Sequence, residues 1–240
     1  MDAQQGDPEG LPRQRRGTTP QMHGRYPDLD VLEQAEHWDE PTRAVVLARL
    51  APPKLRFFDS DEARTLEAFC NTVMAQDAEP RVPVLAFVDA KLHDRRLDGY
   101  RYADMPDDPE TWKLVAEGLD EATRERGALS YGRADADTQL VICESFAEKR
   151  LEGGVWERLP VAHAWAVVMR SILSAFYSHP WAWNEIGFPG PAYPRGYMRM
   201  GIGQTDSWEG EDEFPLDPVS DVERRGVDHP AADLDREHPK

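Results

Sequence analysis

At 240 residues with 40% hydrophobic content, the chain can bury one core of ordinary size or two small ones. Its formal net charge of -17 sets it against nucleic-acid backbones and anionic membrane surfaces as main partners. Two cysteines, Cys70 and Cys143, with no CxxC spacing, exclude a cysteine zinc site and a multi-bridge scaffold; two packed core thiols or one disulfide remain.

Residues 1–27 are rich in Gln, Gly, Pro and Arg and lack apolar periodicity, so a flexible arm is expected. Arg13, Arg15 and Arg16 are followed by polar sequence where an export signal needs an apolar run, so no signal is expected and the chain reads as cytoplasmic unless a signal-bearing partner exports it. Over 28–56 short helices and a linker are predicted. Asp30 caps a helix over Val31 to Trp38; Pro41 opens another through Val45, Val46 and Leu50; Pro52 and Pro53 end it.

A helical domain is expected over 57–203. Asp59 and Glu62 form a capping box ahead of Ala63, Leu66, Phe69, Cys70, Val73 and Met74. Pro83 starts a helix through Val84, Leu85, Val88 and Leu92, stopped by Gly99. Asp108 caps the next, with Trp112, Val115, Leu119 and Ala122 inward, a solvated face of Lys113, Glu117, Asp120, Glu121 and Arg124, and Gly127 at its end. Asp135 or Asp137 caps a fourth through Leu140, Ile142, Cys143, Phe146 and Leu151, before Gly153 and Gly154. Pro160 opens a fifth, apolar nearly all round, which reads as the central helix. With few strand signals, the fold class is all-α: a single bundle of five or six helices with an irregular loop and flexible termini. Residues 204–240, holding twelve acidic against four basic residues, read as an acidic tail.

No histidine follows a Glu at the Glu-x-x-His spacing, and His-Glu-x-x-His, Gly-x-Ser-x-Gly and the phosphate-binding glycine loop are all missing. His37 and Glu40 form an isolated pair. Gly201 and Gly203 begin a dinucleotide pattern that never completes. His163 reads as a core histidine, with Glu144 or Glu148 as the partner that catalysis would require. No catalytic, cofactor or metal residue is assigned.

The segment from His179 to Arg199 holds five aromatics, four prolines and three glycines in 21 positions. Such a stretch is too aromatic for disorder and too rich in proline for a regular helix, so a fixed irregular loop is expected. Its aromatic and arginine side chains suit an interface, and the candidate residues are His179, Trp181, Trp183, Asn184, Glu185, Tyr193, Pro194, Arg195 and Tyr197.

The run Phe176 to Tyr197, F-Y-S-H-P-W-A-W-N-E-I-G-F-P-G-P-A-Y-P-R-G-Y, resembles the small subunit, subunit 3 or gamma, of gluconate 2-dehydrogenase and related flavin-dependent sugar dehydrogenases. F-F-D-S-D-E-A-R-T-L from Phe57 and P-V-L-A-F-V-D-A-K-L from Pro83 add weaker support. The resemblance implies a helical accessory subunit without flavin that supports assembly or export of a large FAD-binding partner of the glucose-methanol-choline type, often alongside a cytochrome c subunit. It implies no cofactor on this chain; the acidic charge argues against a nucleic-acid partner, and the most apolar run, Val161 to Met169, is too short for direct membrane insertion. The rival expectation is a stand-alone enzyme holding a metal or small ligand around His163, His179 and Glu185.

Overall fold

The computed structural model describes residues 29–76, 81–198 and 206–209, so the expected arm, most of the expected tail and the Gly201–Gly203 pattern lie outside the described residues. Every regular element among them is helical. The chain divides into two compact units, Ala51–Phe176 and residues 1–50 with 177–240.

The unit Ala51–Phe176 holds α2 (Ser60–Val73), α3 (Val84–His93), α4 (Asp108–Arg124), α5 (Ala136–Ala147) and α6 (Val161–Phe176). The capping box forms as the spacing predicts. Asp59 Oδ1 accepts from the Asp61 and Glu62 amides, each at 2.9 Å, and Glu62 Oε2 accepts from the Asp59 amide at 3.0 Å. These bonds to the charged form hold the Asp59 carboxyl below its ordinary range. Leu66, Phe69 and Cys70 then recur on the face that α2 turns to α3, α4, α5 and a 3-10 turn at Tyr131–Arg133.

Two caps fall one residue from their expected places. Pro83 occupies the cap position before α3 rather than its first turn, and α4 is capped by Asp107, whose carboxylate accepts from the Glu110 amide. Asp108 instead lies buried in the first turn, where loss of solvent raises its carboxyl pKa. In α5 the cap is Asp135; Leu140 points outward and Leu151 falls beyond the helix.

The polar face of α4 is not uniformly solvated. Asp120 Oδ1 accepts from the Thr65 hydroxyl at 2.7 Å and the Tyr131 amide at 2.9 Å, tying α2 and the 3-10 turn to α4. Glu121 Oε2 takes the Val155 amide at 2.9 Å, anchoring a second 3-10 turn, Gly154–Glu157.

Nor is α6 the centre of the bundle. It buries one face, Ala164, Val167, Val168, Ser171, Ile172 and Ala175, while Ala162, Arg170, Leu173 and Ser174 are exposed. Uniform hydropathy hid this sidedness, because alanine and leucine tolerate exposure. The interior is instead an aromatic cluster, with Phe146 5.8 Å from Phe69, 5.1 Å from Trp165 and 5.0 Å from Trp156 between ring centres. Cys70 and Cys143 are separate buried thiols rather than a disulfide. Burial pushes both upward, Cys143 to about 12.

The other unit is described over 29–50, 177–198 and 206–209. Asp30 caps a 3-10 helix, Val31–His37, and Asp39, rather than Pro41 alone, opens α1 (Glu40–Ala48) by accepting from the Thr42 amide. Leu50 lies past its end. The expected irregular loop begins as a helix, α7 (Pro180–Ile186), because a proline in the first turn needs no amide partner. Gly187, in the left-handed conformation at φ +74°, ends α7 before Pro189, and the chain is irregular from there. Val31, Trp38, Val46 and Trp183 form this unit's small core.

Candidate functional site

The nine residues singled out in the His179–Tyr197 segment divide by depth. His179, Trp183 and Asn184 are buried, Trp181, Glu185 and Arg195 are half-buried, and Tyr193, Pro194 and Tyr197 are exposed. Tyr193 at 66% and Tyr197 at 48% stand beside Met198 at 74%.

The buried members work as anchors. His179 caps α7, its Nδ1 accepting from the Trp181 amide at 3.2 Å. Burial, opposite the charged Arg49 guanidinium, lowers its pKa to about 4, so the imidazole is neutral near pH 7. Arg49 Nη1 donates to the Ser178 carbonyl at 2.7 Å while its guanidinium lies 5.4 Å from the Trp183 ring centre. The Trp183 indole donates to the Tyr177 carbonyl at 2.7 Å, and its ring meets Phe188 edge-on. Asn184 Oδ1 accepts from the Val31 amide at 2.6 Å, and its Nδ2 donates to Asp30 Oδ1 at 3.3 Å. One side chain therefore joins α7 to the start of the 3-10 helix. Gly190, at φ +84°, passes so close to that helix that a Cβ there would lie 2.6 Å from the Trp38 ring and 2.9 Å from Val31.

Beyond Gly190 the segment turns outward. Arg195 Nη1 donates to Gln34 Oε1 at 2.9 Å, and the Trp208 ring covers the guanidinium at 4.1 Å. Tyr197 packs on the same indole at 5.1 Å. Gln34 and Trp208 carried no signal in the sequence that marked them as part of this group.

The described histidines outside the segment, His37, His93 and His163, each have a carboxylate neighbour. His163 is half-buried at the surface rather than in the core, and its partner is Asp104, at 2.9 Å, not Glu144 or Glu148. Tyr102 stacks on its ring at 4.0 Å and 3°. His37 lies 3.4 Å from Glu36 rather than meeting Glu40. Among the described residues no three His, Cys, Asp or Glu side chains group to hold a metal ion, and no helix is long and apolar enough to cross a membrane.

Residues 60–190 match the family model for gluconate 2-dehydrogenase subunit 3. The chain belongs to that family. The match takes in α2 to α7 and the anchoring residues His179, Trp183 and Asn184, and it stops before Tyr193, Arg195 and Tyr197. Comparison with curated proteins and with solved structures returned no match. In subunit 3 terms, the matched part of the segment builds the support and the part beyond it forms the exposed aromatic rim.

Proposed function

We propose that this chain is the non-catalytic small subunit of an FAD-dependent sugar or alcohol dehydrogenase complex, docking on the large glucose-methanol-choline type subunit through the rim that follows α7. Membership of the subunit 3 family carries the reading. Its location on the rim is supported by the contrast between fixed and exposed residues. Asn184, Trp183 and His179 make hydrogen bonds within this chain, whereas Tyr193, Pro194, Tyr197 and Met198 offer aromatic and apolar area to solvent. Rigid aromatics on a fixed support lose little entropy on docking, which suits them to hot spots.

In this reading FAD and the reacting groups belong to the partner, and this chain supports the partner's assembly, stability or export. A cytochrome c subunit is a further member of the complex.

The test is reconstitution of the purified chain with the flavoprotein subunit. The isolated chain is expected to lack dehydrogenase activity with artificial electron acceptors and to co-elute with the flavoprotein. Replacing Tyr193 and Tyr197 together by Ala should cost about 2 to 4 kcal/mol of association with unchanged helix content. Turnover by the isolated chain, or co-elution of the double variant as tight as wild type, overturns the reading.

A further inference from the structure

The Arg195 guanidinium is held by two contacts and left unsatisfied at a third edge. Gln34 Oε1 fixes Nη1 at 2.9 Å and the Trp208 ring lies over the plane at 4.1 Å. Nε and Nη2, the neighbouring donors along the remaining edge, are out of contact with solvent and have no hydrogen-bond acceptor. Leaving two charged donors buried and unpaired is costly, so this arrangement is incomplete by itself. The two carboxylates of the nearby turn are engaged elsewhere. Asp206 accepts from the Met198 amide at 3.2 Å, and Glu209 accepts from the Asp206 amide at 2.7 Å.

We infer that Arg195 is the charged anchor of the docking surface, and that the partner subunit supplies an Asp or Glu carboxylate that binds Nε and Nη2 side by side. Two adjacent coplanar donors match the two oxygens of a carboxylate, a geometry that a single neutral carbonyl cannot fill. The plane is already set by Gln34 and Trp208, so little orientation is lost when the acceptor arrives. Because Nε and Nη2 are out of contact with solvent in the isolated chain, docking must displace the groups that cover them. The inference rests on the docking reading above, and it names the chemistry that the partner brings.

Affinity of the full chain for the purified flavoprotein subunit, measured by calorimetry for the wild type, Arg195→Lys, Arg195→Gln and Tyr193→Ala, tests it. Circular dichroism on each variant checks that the helices remain. A partner carboxylate predicts about a 30-fold loss for Arg195→Gln, which removes the charge, and a smaller loss of about tenfold for Arg195→Lys, which keeps it but not the paired donors. The Arg195→Gln loss should also shrink at high salt. Equal losses for Gln and Lys at every salt concentration point to a neutral acceptor and overturn the inference. Wild-type affinity for both Arg195 variants, together with weakened binding of Tyr193→Ala, overturns it while leaving the docking reading standing. Absence of any binding by the wild-type chain overturns both.

Discussion

The Asp89 carboxylate, fully buried on α3, accepts the Phe58 amide at 3.0 Å, and with it the amides of Phe57 at 2.9 Å and Arg56 at 2.7 Å. Two motifs that resemble subunit 3 are thereby joined, since Phe57 and Phe58 open one and Asp89 lies inside the other. Phe58 lies in the core beside Trp112, so the carboxylate fixes the entry to α2 and the seating of an aromatic together. Asp89→Asn retains the size but can offer one oxygen to three amides, and its own NH₂ faces donors. The loss is expected to be about 3 kcal/mol, which for a unit of this size lowers the melting temperature by roughly 10 °C. A thermal melt followed by circular dichroism checks this; a shift within about 2 °C would show that the three bonds are dispensable.

Asn184 plays the comparable part beside the candidate site. Asn184→Ala leaves the Val31 amide buried without its acceptor, at a cost of about 2 kcal/mol. Asn184→Asp keeps the acceptor but sets a carboxylate against Asp30, whose Oδ1 now receives the Asn184 amide. Both variants should raise the hydrogen-exchange rate of the Val31 amide by at least about tenfold, with amides in α2 unchanged. Unaltered exchange at Val31 would mean that α7 and the 3-10 helix hold together without this side chain.

These two residues show where sequence reasoning reaches and where it stops. The Asp59–Glu62 capping box was legible because both partners lie within four residues and the physics is local. Asp89 and Asn184 were not legible as clamps, since their partners are 31 and 153 positions away and nothing in a helical pattern marks a side chain that reaches for a distant amide. Asp120 and Glu121 were missed for the same reason, their bonds to Tyr131 and Val155 crossing between elements. At the candidate site the dense aromatic segment was visible from Trp181 to Tyr197, but its division into anchors and rim was not. Burial decides that division, and Trp183 and Tyr193 are equally apolar on paper.

His179 makes stability depend on pH in a defined window. Its folded pKa of about 4 lies below the ordinary histidine value of 6.5, so protons bind the unfolded chain more readily. The stability that the neutral imidazole permits is fully present above pH 6.5 and is lost as the pH falls toward 4. The shift corresponds to about 3 kcal/mol. Asn at this position keeps a good helix cap without titrating. Urea melts of wild type and His179→Asn should therefore give a stability difference that moves in favour of the variant between pH 6.5 and 4 and is constant above 7. A difference independent of pH would mean that the imidazole gains water or a carboxylate neighbour in solution.

Gly118 tests packing against propensity with the sign in dispute. In the middle of an exposed helix, glycine to alanine stabilises by about 1 kcal/mol. Here Gly118 faces the Trp156 indole, and a Cβ would lie 2.6 Å from Cζ2 and 2.7 Å from Cε2. The indole has little room to retreat, because Trp156 is 7% exposed and packs on Phe146, while the Glu121 carboxylate fixes its 3-10 turn through the Val155 amide. Overpacking of this kind costs about 1 to 3 kcal/mol, enough to cancel or exceed the gain in propensity. Gly118→Ala is thus expected to lower stability by about 1 kcal/mol, and the double variant Gly118→Ala with Trp156→Phe to recover part of it by removing the atoms that clash. A stabilised single variant in chemical denaturation would show that the 3-10 turn yields, and that Glu121 does not hold Trp156 against α4.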